Sequence, residues 1–186
     1  LQVPITEAPH KQSSVTIRPA TPADHQQILA LNNAHVPAVS ELTPDSLQHL
    51  ATIAEPLSVV TLDSSPGDIL GFIICIRPGK DYGSSNYAWV SSRFKSSFLY
   101  IDRVAFAQRA QGRGLGRRLY ESVIARAEQL GCPLVCEVNT VPRNEQSLAF
   151  HARMGFSQIG EAAKPDGLTV AYLQRPAAAA QSLSGS

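Results

Sequence analysis

Residues 100–119 read Tyr100-Ile-Asp-Arg-Val-Ala-Phe-Ala-Gln-Arg-Ala-Gln-Gly-Arg-Gly-Leu-Gly-Arg-Arg-Leu119. An apolar run enters a turn containing Gly112, Gly114 and Gly116. The turn opens directly into an amphipathic helix with Leu115, Leu119, Val123, Ala127 and Leu130 on one face. Glycines let backbone N–H groups converge with no Cβ in the way, and a helix start adds unpaired donors and a positive partial charge. The stretch therefore predicts a phosphate or pyrophosphate site, and Arg113, Arg117 and Arg118 reinforce its sign. A turn that binds nothing is the alternative on this segment alone. A dinucleotide G-x-G-x-x-G is excluded, because its last position falls on Arg117 or Leu119, and the P-loop pattern is absent.

Outward from this turn, periodicity lays out the rest of the chain. Upstream, Val15–Pro19 reads as a strand, Thr21 opens one helix, and Thr43-Pro44-Asp45 opens a second with Leu47, Leu50 and Ile53 at helical spacing. Two apolar runs, 57–62 and 69–76, flank Asp63-Ser-Ser-Pro-Gly-Asp68 and predict a hairpin. Residues 77–97 read as a long polar loop of the kind that often carries function. Downstream, a strand over 134–138 is followed by a helix over 144–154 and strands over 156–160 and 168–173. The order is β-α-α-β-β-β-α-β-α-β-β, an α/β chain with a mixed sheet and helices on both faces.

The 186 residues suffice for one domain with a substantial core. We place that domain at 14–175, between a polar, proline-punctuated segment at 1–13 and a small-residue tail at 176–186, both expected to be flexible. A net charge of +1 provides no global field toward nucleic acid or an anionic membrane, and no apolar run approaches the length of a membrane span. Cys75, Cys132 and Cys136 form no CxxC pair, so buried reduced thiols are expected, without disulfide or metal. The first dozen residues lack the pattern of a signal peptide; with the thiols, this makes the cytoplasm the expected location.

A second motif lies 28 residues beyond Gly116: Asn144-Glu-Gln-Ser-Leu-Ala-Phe-His-Ala-Arg-Met-Gly-Phe156. Gln111-Gly-Arg-Gly-Leu-Gly116 resembles the Q/R-x-x-G-x-G/A signature of the GNAT superfamily of N-acetyltransferases. The second stretch is similar to that family's N-x-x-(A/S)-x-x-F-Y-x-x-x-G-F. The resemblance is close over 98–160 and extends to the element order on either side. It implies a mostly antiparallel sheet of six to seven strands, acetyl-CoA as co-substrate and an amine as acceptor, with the protein a monomer or homodimer.

Residue by residue, the resemblance implies that the backbone of Val104, Ala105 and Phe106 pairs with the pantetheine arm. Gln111, Gly112, Arg113, Gly114, Leu115, Gly116 and Arg117 would form the pyrophosphate turn, while Asn139, Asn144, Ser147 and Phe150 would line the thiol end. Asn144 also suits a helix cap. The pattern breaks at His151, where family members commonly carry the tyrosine proposed to protonate the departing thiolate. Histidine is able to donate a proton but is shorter, and a structural histidine is equally compatible. Tyr82, Tyr87, Tyr100 and Tyr120 are the other donors in view.

The acceptor amine must lose a proton before it attacks, which calls for a carboxylate. Strict alternation puts Asp102 on one face with Val104, making Asp102 the first candidate, with an ion pair as its alternative role and Glu41 and Glu137 behind it. Cys136 has no sequence-evident base, which favours direct attack over a covalent cysteine route, with a backbone N–H near Val104 or Phe106 stabilising the oxyanion. Acceptor choice is expected from Asn32, Asn33, His35 and Glu41 and from the 77–95 segment. That segment's aromatics Tyr82, Tyr87, Trp89 and Phe94 would either stack on a ligand or fold against the body. Its excess of basic residues suits an acidic acceptor or simply a solvated surface. A non-catalytic CoA-binding module is the alternative from another functional class.

Overall fold

The computed structural model describes residues 14–177; the expected flexible segment 1–13 and residues 178–186 of the tail lie outside the described residues. The elements are β1 (Val15–Pro19), α1 (His25–Asn33), α2 (Pro44–Ile53), β2 (Ala54–Leu62), β3 (Ser65–Ile76), α3 (Ser85–Phe94) and β4 (Leu99–Phe106). They continue with α4 (Leu115–Gln129), β5 (Leu134–Val141), α5 (Glu145–Arg153), β6 (Ser157–Ala163) and β7 (Thr169–Arg175). The strands form one seven-stranded sheet in the order β1-β2-β3-β4-β5-β7-β6. Among the described strands only β4 and β5 run parallel to each other, as the crossover through α4 requires. This is the mixed, mostly antiparallel sheet with helices on both faces that the sequence predicts.

Alternation along the strands builds a core on each face. On one, Leu99, Ile101, Leu134, Cys136 and Val138 pack under Leu115, Leu119, Tyr120 and Val123 of α4, with Leu148 and Phe150 of α5 at the margin. On the other, Phe72, Ile74, Tyr100, Val135 and Tyr172 pack under Ile28 of α1, Leu47 and Leu50 of α2, and Tyr87 and Val90 of α3.

Two features depart from the sequence reading. Residues 85–94, expected to be loop, form α3. Ser84 caps it, its hydroxyl accepting from the Tyr87 N–H, and Tyr87, Val90 and Phe94 recur at helical spacing toward the core. All four aromatics of the segment fold against the body, Tyr82 while also lining the cavity described below. Trp89 stacks on Tyr172 at 3.7 Å and lies so close to Gly160 that a Cβ there would come within 2.6 Å of the indole.

The second departure is in β4. Ile74 of β3 pairs with Arg103, but the next residue, Cys75, pairs with Ile101, so Asp102 is an extra residue in the ladder. The bulge resets the alternation. Beyond it Val104 and Phe106 pack toward the α4 side with Ile101, while Ala105 joins Tyr100 on the other. Asp102 therefore does not share a face with Val104, which corrects the alternation argument.

Candidate active site

Strands β4 and β5 pair only at Leu99–Leu134 and Tyr100–Val135 and then diverge. The Ala107 N–H bonds to the Leu70 carbonyl on β3, so alternation turns the N–H and C=O of Phe106 and Val104 the other way, into the opening. Ala105, opposite Phe72, directs its own toward β3. His35, from the segment between α1 and α2, donates its Nε2–H to the Phe106 carbonyl at 2.8 Å. A cavity of about 1070 Å³ occupies the opening and reaches elements on both faces of the sheet.

At one end of this cavity lies the glycine turn. Gly112 and Gly114 have φ of 73° and 69°, left-handed values that strain any other residue, and a Cβ at either would meet nothing within 4 Å. Among the described residues, the N–H groups from Gly112 to Arg117 have no backbone partner. Gly114 directly precedes α4, so these donors gather at the positive end of that helix. Gln111 and Gly116 line the cavity, whereas the Leu115 side chain is core and the Arg117 side chain pairs with Glu121 on the exposed face of α4.

The α4–α5 wall carries Tyr120, Ser147, Phe150 and His151, and Asn139 and Asn144 lie at its edge. Asn144 caps α5, its Oδ1 accepting from the Ser147 N–H at 3.0 Å. His151 is buried, and its Nδ1 lies 2.8 Å from the Ser147 carbonyl. A carbonyl only accepts, so the proton is on Nδ1. Burial lowers the pKa of His151, which leaves the ring neutral and Nε2 an acceptor. The Tyr120 hydroxyl donates to that Nε2 at 2.9 Å.

The opposite wall is acidic. Asp102 accepts from the Tyr82 hydroxyl at 2.6 Å and from Arg103 Nε at 2.7 Å, occupying both carboxylate oxygens. Arg103 also reaches the Asn32 side chain and the Ser40 carbonyl, tying β4 to the segment that carries His35. Glu137, on β5, accepts from the Tyr100 hydroxyl and from Asn86 Nδ2, both at 2.8 Å. It is deeply surrounded by protein, yet its side chain touches the cavity. Burial, and then the neighbouring Asp102 charge, push its pKa up to about 8 against the pull of those two hydrogen bonds.

The Acetyltransferase (GNAT) family matches residues 27–156. The chain belongs to the GNAT family. A phage protein, the 5-NmdU N-acetyltransferase of Pseudomonas phage PaMx11, is 28% identical over 159 residues, covering 84% of this GNAT chain and 96% of the relative. Among solved structures, Ard1 from Thermoplasma volcanium superposes with a TM-score of 0.70 at 17% identity, covering 88% of this chain and 98% of its own. Arabidopsis thaliana NAA60, solved with a bisubstrate analogue, gives 0.70 at 12%, covering 90% and 100%. These structures share the fold, and the family and the phage relative make this GNAT chain an acetyltransferase. The non-catalytic alternative is set aside on that ground.

The GNAT fold brings Val104, Phe106, Gln111, Gly116, Asn139, Asn144, Ser147, Phe150 and His151 to one cavity with Asp102 and Glu137. It does not bring Glu41 there, nor the basic residues of 77–95, whose part of the wall is Tyr82 to Asn86. The acidic-acceptor expectation therefore finds no cation from that segment. Cys136 does line the cavity, but burial holds its thiol pKa far above normal, which suits a structural thiol. Sequence reasoning ranked Glu137 behind Asp102 because nothing local to Glu137 reveals Tyr100 and Asn86 beside it.

Proposed function

We propose that this chain transfers the acetyl group of acetyl-CoA to a primary amine of a small molecule or peptide, by direct attack in a ternary complex. The observation that carries this reading is Glu137. It is a carboxyl poised near neutrality on the cavity wall, across the sheet from the face that bears the helix of the glycine turn. A general base works best with a pKa near the working pH, because it is then ionised often enough and still strong enough to take a proton.

The fit to acetyl-CoA rests on three features of the chain. The N–H groups from Gly112 to Arg117, which have no backbone partner among the described residues, would receive the pyrophosphate. The inward-turned backbone of Val104 and Phe106 would pair with the pantetheine amides, in the cavity that Phe106 and Phe150 both line. In this reading the thioester reaches the opening beyond Tyr100, and the acceptor amine approaches from the α3 side. Glu137 then takes the amine proton. Asp102, with both oxygens engaged, holds Tyr82 and Arg103 and thereby the acceptor wall. The name of the phage relative supports nitrogen as the acceptor atom.

The test is calorimetric titration with acetyl-CoA, CoA and adenosine diphosphate, followed by CoA release with amino acids, peptides, simple amines and 5-NmdU. Tighter binding of the CoA forms than of the nucleotide, and release with at least one amine, are the expected results. Binding without release from any amine would refute the catalytic reading. No binding at millimolar ligand would refute the assignment of the turn as well.

A further inference from the structure

With Glu137 accepting a proton on one wall of the cavity, the departing sulfur needs stabilisation from the other. Resting on the amine-acetylation reading, we propose that the Tyr120 hydroxyl is the hydrogen-bond donor to the departing CoA sulfur, with His151 the positioning residue that holds the hydroxyl ready.

The argument is one of hydrogen-bond inventory. His151 has no proton to offer, since Nδ1–H is committed to the Ser147 carbonyl and Nε2 is an acceptor. Other tyrosine hydroxyls are bound elsewhere. Tyr87 donates to the Arg77 carbonyl and Tyr100 to Glu137, and neither lines the cavity. Tyr82 lines it but donates to the Asp102 carboxylate at 2.6 Å, a charged acceptor that would hold the proton against a thiolate. Tyr120 is different, because its acceptor is a neutral imidazole. A thiolate is the stronger attraction, so the hydroxyl has reason to turn from Nε2 to sulfur when negative charge appears there.

Position agrees with this role. Tyr120 lies on α4 one turn beyond Gly116, and its ring meets Phe150 edge-on at 4.9 Å, so it belongs to the wall that leads away from the glycine turn. The titratable groups around it are His151 on α5, Cys136 on β5 and Cys75 on β3, with Glu137 farther along β5. Burial raises the pKa of the phenol and of both thiols, so all three stay protonated at neutral pH and Tyr120 remains a donor.

The step balances as follows. The amine nitrogen bonds to the acetyl carbon, the C–S bond breaks with its electron pair going to sulfur, and the surplus amine proton goes to the Glu137 carboxylate. Tyr120 keeps its proton and shares it with the thiolate through a hydrogen bond. After release the thiolate takes a proton from water.

An acceptor-free experiment tests this. CoA is bound to the full chain and its thiol titrated by the ultraviolet absorbance of the thiolate. A donor to the charged form lowers the pKa, so bound CoA should titrate below the ordinary value of about 8.5. Tyr120→Phe should raise that pKa by about one unit, a tenfold change in thiolate fraction at fixed pH, whereas Tyr82→Phe should leave it alone. Equal values for wild type and Tyr120→Phe overturn the proposal. If that variant does not fold, the wild type suffices: the His151 Nε2 nitrogen resonance should move toward that of a non-bonded ring nitrogen as bound thiolate forms, and a stationary resonance overturns it. In turnover, Tyr120→Phe should lower kcat at least tenfold with KM for acetyl-CoA little changed, a split that a packing defect in the cofactor wall would not produce. A shifted thiol pKa with no amine ever acetylated would sink the amine reading and leave Tyr120 standing. A wild type that binds no CoA would overturn both.

Discussion

Replacing Glu137 by glutamine keeps the shape of the side chain and an acceptor oxygen for Asn86 Nδ2, with the Tyr100 hydroxyl turned to accept from the new amide N–H, while removing the ability to take a proton. With a pKa of about 8, the wild-type carboxyl is ionised in roughly one molecule in ten at pH 7 and one in a hundred at pH 6. If Glu137 is the base, the rate it supports climbs about tenfold per pH unit up to about 8 and then levels. The acceptor amine also loses its proton as pH rises, which would confuse a single profile. It cancels in the ratio of wild type to Glu137→Gln measured with the same acceptor. That ratio of kcat/KM, followed by CoA release from about pH 6 to pH 9, should rise and then flatten near 8. The plateau should reach roughly 100- to 10,000-fold, the usual worth of a positioned base. A ratio that stays flat across the range would refute the assignment, whatever its size, because a merely structural glutamate would not carry this pH signature.

Other expectations concern binding and stability. Gly114→Glu should abolish calorimetric CoA binding, since it puts negative charge at the anion site and a Cβ at φ 69°; Gly114→Ala separates the strain, costing about 1–2 kcal/mol of stability, from the charge effect. Asp102→Asn leaves Arg103 buried without its counter-charge and should destabilise by about 3–5 kcal/mol, seen as a melting point lower by roughly ten degrees, with CoA affinity nearly unchanged. Thermal stability should also depend on Glu137. Its folded pKa lies above the unfolded value of about 4.3, so the folded state holds the extra proton between about pH 4.3 and 8, and wild-type stability falls with rising pH across that window. Glu137→Gln should therefore gain stability relative to wild type as pH rises, levelling above 8; parallel melting curves would count against a buried, raised carboxyl.

The parts legible in the sequence were those whose cause is local. The turn from Gln111 to Gly116 and the cap at Asn144 each declare their geometry within a few residues. Helix α3 escaped because Ser85, Ser91 and Ser92 read as loop, and its apolar side of Tyr87, Val90 and Phe94 gains meaning only against the sheet. The bulge at Asp102 was hidden for a similar reason, since an extra residue in a ladder is defined by the partner strand, here Ile74 and Cys75. Glu137 and Tyr120 were on the page as residue types. Their hydrogen bonds join β5 to β4 and α3, and α4 to α5, and such pairings come from topology rather than spacing.

The divergence of β4 from β5 has a mechanical consequence. Tyr100 is the last paired residue of β4 and Glu137 lies two residues beyond its partner Val135 on β5, and one 2.8 Å hydrogen bond spans the seam between their side chains. A small swing of the two half-sheets about that seam would stretch the bond first, as the blades of scissors part most where they are free. Because the Tyr100 bond holds the carboxyl's pKa down, opening would drive Glu137 toward its protonated form, and closing would restore the carboxylate. The angle between two strands would thus be transduced into a proton's residence on one oxygen.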